Sequence, residues 1–551
     1  MSRHGDREVV RQSGLTGIAA FAAILSGLVL DVSIAAIYGA GTSTDAFFVA
    51  ARLPLGLVAI VMVGANQALV PAITTSFERN GRAPTLRLVS ILLNATLVGG
   101  LMLTGLIALI AEPLMRITAP GLSPQSLALA ASLSRVMFLV VPLVALAEIL
   151  RAYLNSRYSF VAPAAMNVIM NGLAAALIIG LSAGIVVVAW AYVAGALAQA
   201  VFMLVMAHRR DFRYVASFRF RDPHVTSVGR LLVRPLIGAS LNPLARVGEQ
   251  LFTSFMPTGS ITVLNYAYRL ISAIGGSVMF RSVIVAIVPR LTSATAKGDV
   301  PEIRRTTRLG VKIMLLLSLP LTAFMAVLAK PAALVVFRRA HFTRDNAMML
   351  GVVLAVYSLS LVGSAVQRAM LAPFFSRLDT RTPLRNTFYG MAVNMLLLPI
   401  CVLPFGRTEN GIIGIAIAYS LAQYVNVAHA WYHMKRDLDL SMRGIGPTFW
   451  RLAGASLLSG AAMVGGYYAL GMNVPSLRWM LLWKTVLDGL LGFGVLAGAL
   501  ALFGGGEVRQ LMGMVRKPRP SEGPGGAPND DPTDDPTVEE TQAPGSETRT
   551  E

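Results

Sequence analysis

The apolar residues of this 551-residue chain fall into about fourteen segments that are long enough to cross a membrane. A transmembrane helix needs roughly 20 residues to cross ~30 Å of hydrocarbon, and short polar or basic stretches separate the segments. The pattern therefore predicts an all-α polytopic membrane protein with about fourteen transmembrane helices. The predicted spans are residues 14–39, 46–77, 87–111, 127–155, 161–182, 184–207, 231–256, 261–291, 309–336, 346–375, 384–404, 410–433, 448–471 and 478–504.

Basic residues concentrate in every second loop, which predicts how the chain is oriented. Cytoplasmic loops of membrane proteins carry the excess of lysine and arginine. With the N-terminus placed in the cytoplasm, the predicted inside loops are rich in arginine, above all 208–230, whereas most outside loops hold at most one. The outside loop with Lys330, Arg338, Arg339 and Arg344 is the exception. We therefore predict that both termini are cytoplasmic.

A short pattern occurs twice and indicates an internal repeat. Arg52-Leu53 precedes Val70-Pro71, and Arg269-Leu270 precedes Val288-Pro289 at nearly the same spacing. Each copy lies in the second span of a group of six, so both enter from the same side, as in a parallel repeat of two bundles. The predicted units are a cytoplasmic N-terminus (1–13), an N-lobe (14–207, spans one to six), a basic cytoplasmic linker (208–230), a C-lobe (231–433, spans seven to twelve), an appended pair of spans (448–504) and a disordered acidic cytoplasmic tail (518–551).

Composition excludes several classes of function. Hydrophobic residues make up 55% of the chain, charged residues 14%, and the mean hydropathy is +0.64, which excludes a water-soluble globular protein. One cysteine, Cys401, provides no disulfide framework, and we predict no metal site. The net charge of +19 is assigned to cytoplasmic loops, so we predict no nucleic-acid partner. The inside loops contain no G-x-x-x-x-G-K-[ST] motif, which argues against ATP as the direct drive.

Ionisable side chains at membrane depth are the candidate functional residues, because each costs at least ~2.5–3.5 kcal/mol at the centre of an isolated helix. Arg52 and Arg269 lie at similar depths, and the nearest acid on either helix is Asp45, seven residues before Arg52. A guanidinium group binds phosphate through paired hydrogen bonds. We therefore predict that these arginines face a phosphate or pyrophosphate in a central cavity.

Other charged residues within the spans extend this set or have structural interpretations. Asp31 lies two-thirds of the way across span one and is a further candidate. Arg246 and Glu249 share one face of span seven, so they either join the site or neutralise each other. Lys484 and Asp488 are predicted to form a structural pair, and Arg281 and Arg368 are predicted to snorkel towards the cytoplasmic surface. The predicted substrate-binding residues are Arg269, Arg52, Arg246, Asp45 and Asp31.

The segment around Asp45 resembles a known family. It is similar to the start of the MurJ (MviN) proteins, the lipid II flippases of the MOP exporter superfamily, and the resemblance covers residues ~14–505. The matching stretches are Ile37-Tyr38-Gly39-Ala40-Gly41, Thr44-Asp45-Ala46-Phe47-Phe48-Val49-Ala50, Arg52-Leu53-Pro54, Gln67-Ala68-Leu69-Val70-Pro71, Thr118-Ala119-Pro120-Gly121, Tyr266-Ala267-Tyr268-Arg269-Leu270 and Ala372-Pro373-Phe374-Phe375-Ser376.

The resemblance implies a transporter rather than an enzyme, with two six-helix lobes around a cationic cavity. Spans thirteen and fourteen would hold a polyprenyl tail, while a lipid-linked disaccharide-peptide pyrophosphate moves to the outer leaflet of a bacterial inner membrane by alternating access. The implied partners are this polyprenyl-pyrophosphate-linked glycan, membrane lipids and cell-wall synthesis proteins. No cofactor is implied, and a monovalent cation or the membrane potential would drive transport. By motif, Arg269 matches a ligand-facing arginine, Asp45 the acid at the outer end of span two, and Glu249 a cation ligand of some members.

The chain departs from the family pattern where the family carries further charges. Ala23-Ile24 and Leu30-Asp31 stand where the family usually has Ser-Arg and Arg-Asp, and residues 57–63 lack its Arg-Arg and Glu. Three alternatives therefore remain open beside a lipid II flippase. They are a flippase for another polyprenyl-linked oligosaccharide, such as an exopolysaccharide or O-antigen unit, a drug/ion antiporter, and a non-transporting membrane scaffold.

Overall fold

The chain folds into long helices that follow the predicted apolar segments closely. The computed structural model describes residues 3–218, 223–276, 278–439, 444–472, 474 and 477–503. The α-helices in these residues are α1 (Arg3–Tyr38), α2 (Thr42–Gly64), α3 (Val70–Asn80), α4 (Arg82–Thr118), α5 (Pro124–Met137), α6 (Val140–Ser156), α7 (Val161–Leu181), α8 (Val186–Arg209), α9 (Pro223–Thr253), α10 (Ser260–Gly275), α11 (Val278–Lys297), α12 (Val300–Phe337), α13 (Arg344–Ser376), α14 (Arg381–Val402), α15 (Gly411–Leu438), α16 (Ile445–Ala469) and α17 (Arg478–Phe503).

Three predicted spans consist of consecutive helices with a break between them. A π-helical stretch, Ala65–Leu69, joins α2 to α3, and Phe138 and Leu139 separate α5 from α6. The third break separates α10 from α11 beside Gly275 and Gly276. An interrupted helix can bend without loss of its other hydrogen bonds. Spans two and eight therefore contain irregular backbone at which they can bend.

The all-helical membrane architecture is confirmed, whereas the count of fourteen spans is not. By length and apolar composition, twelve helical segments in the described part of the chain qualify as candidate membrane spans. The predicted spans 231–256 and 448–471 are helical but do not qualify. The first of them is polar because α9 carries the buried side chains of Arg246, Glu249 and Gln250.

The boundaries of two predicted units differ from the helices. Residues 1–13 are predicted as the cytoplasmic N-terminus, and α1 already begins within them, at Arg3. The linker was predicted over 208–230, but α9 begins at Pro223. The tail over 518–551 lies outside the described residues. Polar residues extend both helices because a helix end that leaves the membrane keeps its internal hydrogen bonds.

Following the repeat, we use the name N-lobe for α1–α8 and the name C-lobe for α9–α15; α16 and α17 pack together against α12. The contact between the lobes is made mainly by α2, which runs along α9. Glycine permits this close approach at Gly64, where an added Cβ atom would lie 2.9 Å from Leu236 Cδ2. The lobes are therefore held face to face by the two helices on which Arg52 and Arg246 lie.

The two ends of the bundle are named here by their loops. The loops between α1 and α2 and between α9 and α10 lie at the far end, and the linker between α8 and α9 lies at the linker end. At the far end, one buried aromatic cluster crosses from lobe to lobe through Phe47, Phe48, Tyr192, Tyr266 and Phe337. Aromatic pairs in such edge-on and tilted arrangements are worth roughly 0.5–1.5 kcal/mol each beyond their burial. This cluster stabilises the contact between the lobes at the far end.

Candidate functional site

A cavity of about 330 Å³ lies between the lobes and is lined by Arg52, Arg246 and Arg269. The repeat explains why two of these arginines meet, since Arg52 is ten residues into α2 and Arg269 nine residues into α10. At 1.5 Å per residue, each lies about 15 Å from the far end of its helix. The structure thus brings together the three arginines that the sequence predicted.

Arg269 is paired with an acid of the other lobe. Its Nη1 atom lies 2.8 Å from Oδ1 of Asp31 on α1, and it donates a hydrogen bond of 3.4 Å to the Tyr192 hydroxyl on α8. The Asp31 side chain is 8% exposed and that of Arg269 is 30% exposed. Arg269 therefore neutralises a buried carboxylate while one side of its guanidinium faces the cavity.

Arg246 and Glu249 neutralise each other, as one of the two interpretations of span seven predicted. The ion pair measures 2.5 Å, and the second carboxylate oxygen of Glu249 accepts a hydrogen bond of 2.8 Å from Asn394 on α14. The guanidinium also lies over the rings of Tyr268 and Tyr419. Both oxygens of the predicted ion-coupling residue are thus occupied by side chains of the C-lobe.

Arg52 is held differently from the other two arginines. Its Nε donates a hydrogen bond of 3.0 Å to the neutral amide of Gln250 on α9. Among the residues that the structure describes, no carboxylate lies within 4.0 Å of it. The three arginines together with Asp31 and Glu249 therefore leave one formal positive charge uncompensated, and it belongs to Arg52. An anion that enters this cavity meets an arginine with no carboxylate partner.

Asp45 lines neither this cavity nor the larger one described below, although it was predicted as a substrate-binding residue. Its carboxylate accepts hydrogen bonds from the Gly259 amide (2.6 Å), the Thr262 amide (2.9 Å) and the Thr262 hydroxyl (2.6 Å). These donors lie at the N-terminus of α10, where a negative charge is also favoured by the helix dipole. Asp45 of the N-lobe thus caps a C-lobe helix and fastens the far end in this conformation.

A second cavity of about 540 Å³ lies within the C-lobe and shares Arg246 with the first. Glu249, Tyr419 and Arg368 also line it. Arg368, predicted to snorkel, is exposed, but it also lines this cavity and donates a 2.6 Å hydrogen bond to the Gly275 carbonyl. The break between α10 and α11 exposes that carbonyl, a geometry that the sequence does not reveal.

The predicted pair of Lys484 and Asp488 on α17 does not form. Lys484 contacts the Gly471 carbonyl at 3.4 Å, and both carboxylate oxygens of Asp488 lack a hydrogen-bond partner within the described residues. Spacing of four residues permits such a pair without enforcing it. Neither side chain lines the two arginine cavities.

A match to a protein-family model identifies the family of this chain. Residues 34–486 match the model described as "Lipid II flippase MurJ". The chain belongs to the MurJ family. The match includes both halves of the repeat and five of the six predicted site residues, since Asp31 precedes the matched range.

Curated members of the MurJ family resemble this chain over most of its length. The "Probable lipid II flippase MurJ" of Vibrio cholerae is 27% identical over 487 residues, which is 85% of this chain and 91% of that protein. Its counterpart in Buchnera aphidicola from Acyrthosiphon pisum is 26% identical over 407 residues, which is 73% of this chain and 78% of that protein. The resemblance inferred from the sequence is therefore confirmed, and the chain is a transporter-family protein rather than an enzyme.

Solved structures confirm the fold. A "Lipid II flippase MurJ" in an inward closed conformation matches with a TM-score of 0.74 at 19% identity, covering 90% of this chain and 99% of that one. An inward-facing multidrug resistance MATE transporter of the MOP superfamily matches with a TM-score of 0.65 at 17% identity, covering 77% and 98%. The same fold is thus shared by proteins described with different substrates. The residues of the cavity, rather than the fold, therefore have to indicate the substrate.

Several site residues were not singled out from the sequence. Uncharged side chains hold the charged ones in place, and single polar residues in apolar spans are too common to be recognised individually. Gln250 was detectable in principle, since it follows Glu249 on a helix that is unusually polar for a membrane span. The other partners are Tyr192, Tyr268, Asn394 and Tyr419.

Proposed function

We propose that this chain flips lipid II, a polyprenyl-pyrophosphate-linked peptidoglycan precursor, from the inner to the outer leaflet of a bacterial cytoplasmic membrane. The observation that carries the proposal is Arg52, an arginine without a carboxylate partner in an interlobe cavity of a MurJ family member. Lipid II is named as the substrate by the relatives of this chain.

The pyrophosphate is the part of lipid II that this cavity would bind. Arg52 could exchange its bond to the neutral Gln250 for a charge-assisted bond to phosphate, which is roughly twice as strong as a neutral hydrogen bond. Arg269 presents the exposed side of its guanidinium to the same cavity. The attraction between these charges is stronger there than in bulk water, because the surrounding helices lower the effective dielectric constant.

The proposed movement is alternating access about the contact between α2 and α9. We place the linker end and both termini in the cytoplasm, as the distribution of basic loops predicts. The bonds of Asp45 to Gly259 and Thr262 support a conformation closed at the far end, which would have to break for release to the outer leaflet. The irregular backbone at 65–69 and beside Gly275 offers places where the spans can bend.

The proposal also covers the polyprenyl tail, the protein partners and the source of energy. Exposed apolar side chains of α16 and α17, such as Trp450, Leu457 and Trp483, would contact the polyprenyl tail and membrane lipids. The expected protein partners are the cell-wall synthesis enzymes that make and consume lipid II. A monovalent cation or the membrane potential would supply the drive. Glu249 can take part in cation binding only after it releases Arg246 or Asn394.

The charge of the cavity bears on the competing functions. An exporter of cationic drugs would bind its substrate against the uncompensated charge of Arg52, so this reading is disfavoured despite the shared fold. A flippase for another polyprenyl-pyrophosphate-linked glycan would use the same arginines, since the recognised group is the same. Only the glycan distinguishes these two substrates.

Complementation tests the proposal directly. The wild-type chain is expected to restore growth to bacteria depleted of their lipid II flippase, and Arg52→Gln is expected to fail at equal membrane expression. Arg305→Gln is the matched control, because Arg305 lies at the linker end with an 80% exposed side chain. Failure of the wild-type chain despite normal membrane levels would exclude lipid II as the substrate. Full rescue by Arg52→Gln would exclude the role of the cavity.

A further inference from the structure

A chain of polar side chains runs from the C-lobe cavity to the linker end of α15. Gln367 lines the cavity and donates to Oδ1 of Asn386 on α14. Nδ2 of Asn386 lies 3.0 Å from Nδ1 of His429, whose ring contacts that of His433 at a tilt of 53° with centroids 4.6 Å apart. His433 Nδ1 in turn lies 2.7 Å from Asp437 Oδ2. The arginine site described above makes no use of these residues.

The contacts of Asn386 determine where the proton on His429 must be. The same Nδ2 atom that faces His429 also donates a hydrogen bond of 2.8 Å to the backbone carbonyl of Asn426. A carbonyl can only accept, so the atom beside it must be the amide nitrogen. His429 Nδ1 therefore has to accept, and the ring is neutral with its proton on Nε2.

Protonation of His429 at Nδ1 is incompatible with this arrangement. It would place an N–H group against the NH₂ group of Asn386, and the bond between them would be lost. Asn386 is fully buried and joins α13 through Gln367 to α15 through Asn426 and His429. A proton taken up here would thus loosen the link between three helices that surround the C-lobe cavity.

The neighbours of His429 reinforce the preference for the neutral ring in this conformation. From α14 it faces Arg385 and the ring of Tyr389, and from α15 itself it faces His433. Asp437 accepts from His433 rather than from His429. The charged residues that α9 and α13 contribute to the adjoining cavity are Arg246, Glu249 and Arg368. Nearby positive charge and the Asn386 bond both disfavour a positive charge on the His429 ring.

We infer that His429 is a proton-binding site that couples proton uptake to rearrangement of the C-lobe cavity. The inference rests on the proposed transport function, because it identifies the coupling cation as a proton and gives its site. By linkage, a proton that binds only when the Asn386 bond is open favours the conformations in which that bond is open. His433, held by Asp437, lies one helical turn from His429 on the side of the linker end.

The first experiment measures transport in proteoliposomes as a function of pH. Lipid II translocation by the wild-type chain is expected to change about fivefold or more between pH 5.5 and 7.5, since histidine titrates in this range and one hydrogen bond is at stake. His429→Gln supplies a permanently neutral acceptor to Asn386 and is expected to change less than about twofold. His208→Gln, which alters a histidine at the end of α8 in the N-lobe, is the control and should keep the wild-type profile.

A spectroscopic measurement separates this inference from the proposed function. Nitrogen NMR of the ¹⁵N-histidine-labelled protein in lipid is expected to show, at pH 8, one ring with an unprotonated, hydrogen-bonded Nδ1 that is missing in His429→Gln. The signal should be lost on acidification while the protein stays folded. These signals are read whether or not lipid II is transported. If the wild-type chain transports nothing, the proposed function fails and the NMR result still decides whether His429 binds a proton.

Two results would overturn the inference. One is a wild-type pH profile in His429→Gln, and the other is a protonated Nδ1 at pH 8. The spacing His429-x-x-x-His433 is also one that paired metal ligands use. The described residues contain no group of three or more metal-ligating side chains. A pH profile that disappears on addition of a chelator would replace the proton by a metal ion and would equally overturn the inference.

Discussion

Replacement of Arg269, alone and together with Asp31, separates a substrate-binding role from a structural one. Arg269→Ala removes the partner of a carboxylate that is 8% exposed. A buried charge that loses its partner costs about 3–5 kcal/mol. Because the Arg269 side chain is 30% exposed and water reaches it, we expect the lower end, about 3 kcal/mol, as a loss of unfolding free energy.

The double variant Asp31→Asn/Arg269→Ala tests whether Arg269 also binds the substrate. It removes both charges, so most of the stability lost in Arg269→Ala should return. If Arg269 also contacts the pyrophosphate, transport of lipid II in proteoliposomes should stay at least tenfold below wild type in both variants. A loss of this size corresponds to one charge-assisted hydrogen bond of about 1.4 kcal/mol or more.

The two quantities must be measured on the same preparations. Thermal unfolding in detergent follows stability, and fluorescent lipid II in proteoliposomes follows transport. Asp31→Asn alone serves as the control. It removes the carboxylate partner of Arg269 but leaves the guanidinium group of Arg269 in place. Recovery of both stability and transport in the double variant would refute a substrate contact and make Arg269 a structural residue only.

Three further substitutions test other contacts of the site. Arg52→Gln leaves no carboxylate unpaired, so the melting temperature should stay nearly unchanged while transport falls at least tenfold; a destabilised protein would contradict the assignment. Asp45→Asn should weaken the far end, measured as faster labelling of a cysteine introduced at Ala40 by an impermeant thiol reagent; unchanged labelling would contradict its role as a fastener. Glu249→Gln should cost about 3 kcal/mol more unfolding free energy than Arg246→Met/Glu249→Leu, because only the single variant leaves a buried arginine unpaired; equal losses would argue against the pair.

The sequence predicts the fold well because the membrane imposes a simple rule. Apolar segments of spanning length must become helices, and nearly all of the predicted spans have a helical counterpart. The repeat alone predicts that Arg52 and Arg269 lie at similar depths, where they line the same cavity. Helix breaks are less predictable, since a π-helical stretch such as Ala65–Leu69 depends on packing rather than on composition.

The partners of the charged residues could not be predicted in the same way. The sequence predicts Asp45 as a substrate-binding residue, yet the groups that donate to it belong to the start of a helix more than 200 residues away in sequence. The position of Arg368 near a span end predicts an exposed side chain, but not its bond to the Gly275 carbonyl, which depends on the break between α10 and α11. The spacing of His429 and His433 is readable from the sequence, but its meaning depends on the orientation of the Asn386 amide.

Competition for Arg269 suggests how substrate binding and movement of the lobes are connected. Its ion pair with Asp31 joins α10 to α1, so it contributes to holding the lobes together. A pyrophosphate that binds Arg269 must share or displace Asp31, and displacement removes that contact. Binding of substrate would then favour separation of α1 from α10, because a ligand shifts a population by its preference for one state. Spin labels on these helices should therefore move apart when lipid II is added to the wild-type protein. In Asp31→Asn, which lacks the ion pair, the labels should already be apart; equal separation in all samples would refute the coupling.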